Sequence, residues 1–378
     1  MTFDSPTSRL GSIDRLRGIV MVLMLLDHVR EFFYLHLQVS DPMNLAATPP
    51  ELFFTRLTSH VCAPVFVLLT GLGAALYGSG RSREDTAAYL AKRGLLLVVL
   101  ELTVVGFGWS FSVSPPMIYL QVIWAIGLAM LALSVLLWLP RAMQIGLAAL
   151  IIFGHNALDG VQFTRDAAGF IPWAILHDRS VIELGGGLAV RTSYPLLPWI
   201  GIILFGYLLG PLYAQTTAAA TRKRRLFAMA WAALAGFVVL RLVNVYGDHV
   251  WQAGNTALAS LMAFLNLTKY PPSLHFILLT LGLGLLALAS LERTQGGKVL
   301  ARIGRVPMFF YLAHIYLLHL LYLLFVELYG LNQGLRFGFS QVWMLWAMVL
   351  PVLAALYFPC RWFAQLKQQG RHPWLRYF

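Results

Sequence analysis

Ten mostly apolar stretches follow one another along the chain, and they constrain its fold more than any other feature. A membrane-spanning helix needs about 20 such residues. Runs of this kind lie at 18–37, 52–77, 94–113, 119–139, 196–213, 226–246, 274–291, 307–328 and 341–361, with a shorter one at 141–155. Hydrophobic residues make up 59% of the 378 residues and charged ones only 12%, too few to cover a soluble surface. The sequence therefore predicts an all-α polytopic membrane protein.

The positive charge of the chain, +12 in all, predicts how these helices are oriented. If successive loops lie on opposite sides of the membrane, most of the 28 lysines and arginines fall on one side, provided that 141–155 also crosses. Cytoplasmic loops are the ones enriched in Lys and Arg. We therefore expect about ten transmembrane helices in the cell (inner) membrane, with both termini cytoplasmic. The longest loops, about 156–194 and 247–273, are interpreted as packed caps on the outer side, and no soluble domain is visible, so residues 1–378 are predicted to form a single transmembrane domain. RKRR at 222–225 is interpreted as a topology signal rather than a nucleic-acid site.

The first helix carries ionisable residues. Such residues are costly to place inside a membrane, so they indicate a structural pairing or a functional site. Arg17 and His28 are eleven positions apart, which places them on nearly the same helix face and about 16 Å apart along the axis. Met21 and Met24 lie between them on that face. An arginine can bind phosphate at one end of a long ligand while a histidine does acid–base chemistry at the other. Acyl-CoA is a ligand of this shape.

A structural interpretation of the same residues is also consistent with the spacing. Arg17 could serve only as a positive anchor at the membrane surface. His28 could be held by a pairing with Asp27, Arg30 or Glu31 across neighbouring helices.

Several motifs are similar to those of known membrane acyltransferases. Asp14, Arg17, Gly18 and His28 resemble the first helix of acyltransferase type 3 proteins, whose arginine and histidine are separated by ten residues. The wider chain resembles the heparan-α-glucosaminide N-acetyltransferase-like family. The segments that carry this resemblance are SIDRLRGI at 12–19, DPMNLAATPPELFFTRLTSHVCAPVFVLLTG at 41–71, YLQ at 119–121, YPLLPWIGIILFGYLLG at 194–210, FLNLTKYPPSLHF at 264–276 and GRVPMFFYLAHIYLLH at 304–319.

The resemblance implies a cytosolic acetyl-CoA donor and an acceptor amine or hydroxyl of a sugar on the opposite side. It also implies that a histidine is central to the transfer. In the heparan enzyme that histidine lies just after the first helix, where His36 is the nearest match, whereas the type 3 pattern indicates His28. We favour His28, because its register with Arg17 gives it a role independent of the resemblance.

Other candidate residues lie near the same depth or in the matching motifs. His60 is expected near the outer end of the second helix, where it could meet His28 or serve as an alternative catalytic histidine. His314 matches a family motif position and could contact substrate, and Gln121 could hydrogen-bond the donor or hold helices together. Glu101 must point inward, as a proton acceptor or as the partner of an arginine or histidine.

Lys269 and Tyr270 precede two prolines, which fix an extended turn after the preceding helix. This turn would hold both side chains over the mouth of the bundle to contact the acceptor sugar. An interfacial belt of Tyr and Lys is the structural alternative.

These observations lead to the hypothesis of a membrane acyltransferase that moves an acyl group, acetyl by expectation, to a glycan acceptor. Arg17 would bind the CoA phosphates, and His28, oriented by Asp27, would act as base or as acyl carrier. A transporter or flippase is the alternative, and a non-catalytic scaffold is a third. No metal-ligand spacing is present in the sequence. Expected partners are membrane lipid, acyl-CoA and the glycan acceptor, with no nucleic acid, and a homodimer is conceivable.

Overall fold

The computed structural model describes residues 10–34, 43–292, 294, 296–370 and 373–378. Its α-helices are α1 (Leu10–Phe33), α2 (Pro50–Ser59), α3 (Cys62–Gly78), α4 (Arg83–Leu100), α5 (Gly106–Ser110), α6 (Val122–Leu136), α7 (Arg141–Gly154), α8 (Phe170–Leu176), α9 (Leu197–Leu208), α10 (Ala219–Val243), α11 (Ala257–Leu265), α12 (Leu274–Leu291), α13 (Lys298–Gly304), α14 (Pro307–Tyr329) and α15 (Trp343–Gln368). A π-helical segment, Glu101–Val105, joins α4 to α5. Each of the ten predicted apolar stretches contains a helix.

Five helical segments of the described residues are long and apolar enough to cross a membrane. They are Pro50–Gly78, Ala219–Val243, Leu274–Leu291, Pro307–Tyr329 and Trp343–Gln368. Two shorter apolar helical segments, Val122–Leu136 and Leu197–Tyr213, lie between them in the chain. The prediction of a mostly helical protein is therefore confirmed, with five helical segments of membrane-spanning length and composition.

The break between α2 and α3 follows from the position of a proline. Pro64 has no N–H with which to bond the carbonyl of His60, four residues earlier. The helix is interrupted at His60 and Val61 and starts again at Cys62. His60 therefore lies at a bend rather than in the middle of a regular helix.

A small β-sheet corrects the prediction of an all-α fold. The strands β1 (Met117–Leu120), β2 (Val181–Gly185) and β3 (Leu188–Thr192) form one sheet in the order β1-β3-β2. β1 is parallel to β3, with Met117 opposite Ala189, and β2 is antiparallel to β3. The β2–β3 turn contains Gly185, Gly186 and Gly187, all at positive φ. The sheet lies in the long connections before α6 and α9, and it covers one end of the bundle.

Candidate functional site

A cavity of about 1720 Å³ opens at the end of the bundle where α1 ends. Its walls are formed by the last turns of α1, the α2–α3 break, the π segment with α5, the sheet, the turn before α12, and α14. Of the residues predicted from the sequence, those that line it are Asp27, His28, His60, Glu101, Gln121, Lys269 and Tyr270. Residues far apart in the chain thus share one cavity, which is larger than a typical small-molecule pocket.

His28 is held by a second histidine. Its Nδ1 lies 2.6 Å from Nε2 of His314, and Nδ1 of His314 lies 2.7 Å from the carbonyl oxygen of Phe310. A carbonyl can only accept, so with both imidazoles neutral Nδ1 of His314 donates to it and Nε2 of His314 accepts from Nδ1 of His28. This arrangement leaves Nε2 of His28 with a free lone pair.

Aromatic rings enclose the His28 imidazole. Trp109 and Tyr311 contact it edge-on, with ring centroids 5.0 and 5.8 Å away. His314 is 0% exposed and is not part of the cavity lining. His314 therefore lies behind His28 as seen from the cavity and is hydrogen-bonded to it, and its contact with substrate stays a prediction.

Asp27 lines the cavity but pairs with arginines rather than with His28. Its Oδ1 accepts a hydrogen bond from Nε of Arg30 at 3.3 Å, and its Oδ2 accepts from Arg56. Arg30 also pairs with Glu31. This network satisfies the carboxylates of α1 and ties α1 to α2. The hydrogen-bond partner of His28 is His314, and the orienting role of Asp27 stays a prediction.

His60 is buried at the α2–α3 break, with 2% of its surface exposed. Both of its ring nitrogens are without a hydrogen-bond partner among the described residues. Its ring packs 5.3 Å from that of Phe276. A buried polar group is normally paired, so this unpartnered imidazole next to the cavity is unusual.

Lys269 and Tyr270 lie in a tight turn that faces the cavity. The turn is closed by a hydrogen bond from the Ser273 N–H to the Thr268 carbonyl oxygen at 2.9 Å and by a bridge between Lys269 and Pro272. The Lys269 ammonium lies 5.2 Å from the centre of the Tyr270 ring. The predicted extended turn is present, and it directs Lys269 toward the cavity.

Asp248 holds this turn from behind. Its carboxylate accepts hydrogen bonds from the Thr268 N–H at 3.1 Å and from the Thr268 hydroxyl at 2.7 Å, and another from Ser273. Burial would raise the pKa of Asp248, but these bonds and one from His249 outweigh it and hold the pKa at about 2. Asp248 is therefore an ionised anchor for the Lys269 turn.

Glu101 has a different partner from the one the sequence suggested. Its carboxylate accepts from the backbone N–H groups of Gln121 and Trp124, each at 3.3 Å. These donors belong to the first turn of α6, which otherwise lacks partners for them. Glu101 thus closes the start of α6, and Gln121 is the residue that precedes that helix.

Arg17 lies at the opposite end of α1 and does not line the cavity. It pairs with Asp14 at 3.2 Å, and Arg305 approaches the other oxygen of Asp14 at 3.4 Å. Met21 and Met24 are both buried in the core, so the predicted stripe from Arg17 to His28 is filled by side chains. His36, the alternative catalytic residue, lies outside the described residues.

Three further cavity residues were not singled out from the sequence. Arg56 is an arginine within an apolar run, and that signal alone could have identified it. Arg191 and Tyr194 lie in and after β3, and only the sheet brings them to the cavity. Among the described residues, no group of three His, Cys, Asp or Glu side chains is arranged to hold a metal ion.

Comparison with known proteins identifies the family of this chain. A search of curated proteins found no matching relative. The model of the heparan-α-glucosaminide N-acetyltransferase catalytic domain matches residues 9–246, a span that contains His28, His60 and the sheet. This family match does not favour the alternative that the protein is a transporter or flippase. Because the match covers more than half of the chain, this protein belongs to the heparan-α-glucosaminide N-acetyltransferase family.

Proposed function

We propose that this protein is a membrane-embedded acetyltransferase that moves the acetyl group of cytosolic acetyl-CoA to an amine or hydroxyl of a sugar across the membrane. The observation that carries the proposal is the His28 imidazole at the cavity. Its Nδ1 is engaged by His314, which leaves Nε2 for chemistry. The family match supports acetyl transfer as the reaction.

His28 can act as a general base in direct transfer. Nε2 takes a proton from the acceptor amine or hydroxyl as that group attacks the thioester carbonyl. The new bond joins the acetyl carbon to the acceptor, the carbon–sulfur bond breaks, and the CoA thiolate takes up the proton from His28. Because His314 accepts from Nδ1, the imidazolium that forms midway keeps a hydrogen-bonded partner.

His28 can alternatively carry the acetyl group. In that route Nε2 attacks the thioester carbonyl and CoA leaves as a thiolate. The acceptor then attacks the acetyl carbon, the bond from that carbon to Nε2 breaks, and the CoA thiolate takes up the proton that the acceptor loses. Both routes need Nε2 free and Nδ1 fixed. Incubating the purified protein with acetyl-labelled acetyl-CoA and no acceptor separates them, since only the second route labels the chain at His28.

Acetyl-CoA would approach from the end of the bundle where Arg17 lies. Arg17 with nearby Arg93 and Lys367 makes that end basic, which suits phosphate groups. Between it and His28 the path is filled by Met21 and Met24. Methionine side chains are flexible, and we propose that the pantetheine arm displaces them to bring the thioester to His28.

The orientation and residence of the protein are part of the proposal. About ten crossings would place both termini in the cytoplasm and the cavity on the outer side of the cell membrane, where Lys269 and Tyr270 meet the acceptor. The basic clusters of the connecting loops support this orientation.

The test is CoA release by the purified full-length protein with acetyl-CoA and a panel of amino sugars. His28→Ala is expected to lower kcat by about 1000-fold or more, and Arg17→Ala to raise the KM for acetyl-CoA by about tenfold. Arg225→Ala, an exposed arginine at the start of α10, is the matched control and should change neither. Full activity of His28→Ala would contradict the proposal.

A further inference from the structure

One wall of the cavity is apolar and also forms part of the outside of the bundle. Leu102 and Val104 of the π segment and Phe107 of α5 line the cavity, yet they are 47%, 37% and 38% exposed. They lie in the stretch 94–113, one of the proposed crossings, and the side of a membrane-spanning bundle meets lipid. In that arrangement the cavity opens toward lipid here. We call this wall, together with the neighbouring Tyr316 of α14, the side opening.

Specific contacts hold α14 against the π segment and α5. The Tyr316 hydroxyl donates a hydrogen bond to the Val104 carbonyl oxygen at 2.8 Å, and Nδ1 of His319 donates to the Gly108 carbonyl oxygen at 3.0 Å. A Cβ on Gly108 would lie 2.8 Å from the ring of Tyr316, so the two elements touch at this glycine. The side opening is therefore bounded by fixed contacts between elements.

Aromatic rings connect the side opening to His28. The ring of His319 lies 5.4 Å from that of Phe32, which stacks on Trp109 at 5.3 Å. Trp109 in turn contacts the His28 ring at 5.0 Å. His319, Phe32 and Trp109 all line the cavity. An apolar surface, suited to a hydrocarbon chain, thus runs from the side opening to the imidazole.

The charged side chains of the cavity come mainly from α1, α2, the sheet and the turn before α12, with Arg30, Arg56 and Lys269 among them. One cavity therefore combines polar walls with an apolar wall that reaches the side of the bundle. A free sugar would leave the apolar wall uncovered, and a membrane lipid without a sugar would leave the polar walls unmatched. A molecule with a sugar head group and an apolar tail matches both.

We propose that the acceptor is a sugar carried on a lipid of the outer leaflet, with its apolar tail in the side opening and its sugar at Nε2 of His28. The inference rests on the proposed acetyl transfer. Because the tail stays in the membrane, the sugar reaches the cavity by moving within the leaflet. Confinement to the leaflet raises the effective concentration of the sugar at the cavity.

Two glycosides with the same head group test the side opening. The purified full-length protein in lipid nanodiscs is given acetyl-CoA with either methyl or dodecyl β-glucosaminide, and initial rates of CoA release are measured. We expect kcat/KM to be about 10- to 100-fold higher for the dodecyl glycoside. Equal use of the two glycosides would overturn the proposal.

A substitution assigns this preference to the side opening. Val104→Trp fills the opening and should lower the ratio of the two kcat/KM values about tenfold. Val135→Trp is the matched control, because Val135 is 68% exposed on α6 and is not among the residues that line the cavity. Partition of the dodecyl chain into the nanodisc and any loss of folded protein affect both glycosides or both variants alike. An unchanged ratio in Val104→Trp, or an equal fall in both variants, would contradict the assignment.

The acyl chain of the donor is an alternative source of a hydrocarbon chain in the side opening. If it bound there, octanoyl-CoA would be used at least as well as acetyl-CoA. Val104→Trp would then slow transfer from octanoyl-CoA and leave the ratio between the two glycosides unchanged. We expect the reverse, and this result would overturn the assignment to the acceptor.

Crosslinking without acetyl-CoA separates the side opening from the reaction. A dodecyl β-glucosaminide with a diazirine in its chain is irradiated with the protein in nanodiscs, and the adducts are mapped by mass spectrometry. They should fall on the π segment, α5 and α14. Excess dodecyl β-glucosaminide should reduce them about tenfold, whereas dodecylphosphocholine, which has the same tail without a sugar, should not. Equal reduction by both would mean that any lipid tail occupies the opening, and would overturn the proposal.

The side opening and the proposed function can fail separately. If sugar-dependent adducts are found but no acetyl transfer occurs, the side opening stands and the proposed function fails. Transfer to both glycosides at equal rates, without such adducts, would leave the function standing and overturn the side opening.

Discussion

The hydrogen-bonded imidazoles of His28 and His314 carry the proposed chemistry of the site at the level of single atoms. A neutral imidazole has one donor and one acceptor nitrogen, and which is which depends on the partner of the other nitrogen. The Phe310 carbonyl fixes His314, and His314 in turn fixes His28. A backbone carbonyl therefore determines, through His314, which nitrogen of His28 carries the proton and which keeps a lone pair.

Substitution of His314 should separate this role from simple packing. His314→Gln keeps a carbonyl oxygen that can accept from Nδ1 of His28, whereas His314→Leu fills similar space without an acceptor. We expect kcat to fall about 100-fold in His314→Leu and about tenfold or less in His314→Gln, with little change in KM. The ¹⁵N chemical shifts of the His28 ring should report Nδ1–H in the unmodified protein and a mixture of tautomers in His314→Leu. Equal activity of the two variants would contradict a hydrogen-bonding role.

Asp248 offers a prediction of pH dependence. Its pKa of about 2 lies below the ordinary value of 3.8, so the ionised carboxylate stabilises the fold fully above about pH 4, and this contribution is lost as the pH falls toward 2. The contribution of the ionised Asp248 carboxylate to the free energy of unfolding is about 2 kcal/mol. Asp248→Asn should therefore lower the free energy of unfolding by about 2 kcal/mol at pH 7, and the difference from the unmodified protein should narrow between pH 4 and pH 2. A difference that is constant over this range would rule out the ionised anchor.

Close contact between whole helices depends on glycine at particular positions. α3 and α9 cross where a Cβ on Gly71 would lie 1.9 Å from the Ile203 carbonyl oxygen, and one on Gly206 would lie 2.1 Å from that of Leu68. Small residues let membrane helices approach in this way. This crossing supports α3, and with it the break that places His60 at the cavity.

Gly71→Ala should therefore force α3 and α9 apart. We expect a loss of about 2 kcal/mol or more in stability, measured as thermal unfolding in detergent, together with lower activity. Gly146→Ala is the matched control, because that glycine also lies within a helix, α7, but a Cβ there would meet nothing within 4 Å. The control should be neutral or slightly stabilised. Similar losses in both variants would show that helix propensity, and not the crossing, is responsible.

The helices could be predicted closely and the sheet could not, for a physical reason. An apolar run of membrane-spanning length is a local signal, so the stretch predicted at 274–291 coincides with α12. β1 is four residues long and pairs with β3 about 70 positions later, and no local pattern records such a pairing. The glycines at 185–187, where β2 ends, are compatible with a hairpin turn, but they do not identify β1 as the partner of β3.

The candidate site shows the same division between local and distant signals. His28 stood out because an ionisable residue within a membrane helix is costly. Its partner His314 is 286 positions away, and no spacing rule connects the two. Asp27 was expected to orient His28, but an aspartate beside arginines on α1 and α2 pairs with them instead. The geometry of the candidate site therefore depends on contacts between elements that only the folded chain brings together.

At the scale of the whole molecule, the two ends of the bundle differ in their chemistry. At one end the start of α1 meets the linker before α13, where Arg15 donates to the Thr294 carbonyl oxygen at 2.6 Å and Ser12 to Glu292 at 2.8 Å. Arg222, at the start of α10, also pairs with Glu292. At the other end lie the sheet and the cavity. The segments expected in the cytoplasm therefore converge at one end, opposite the cavity that would receive an outer acceptor.

The crossing of α7 is the step on which this two-sided arrangement depends, because α7 is only 14 residues long. Arg141 is its first residue and Asp166 follows it in the chain, and both are exposed. Both native cysteines, Cys62 and Cys360, are buried, so the unmodified protein should react little with maleimides. In intact cells a membrane-impermeant maleimide should label Asp166→Cys, but should label Arg141→Cys only after permeabilisation. Labelling of both variants in intact cells would mean that α7 does not cross, and the loops after it would then exchange sides.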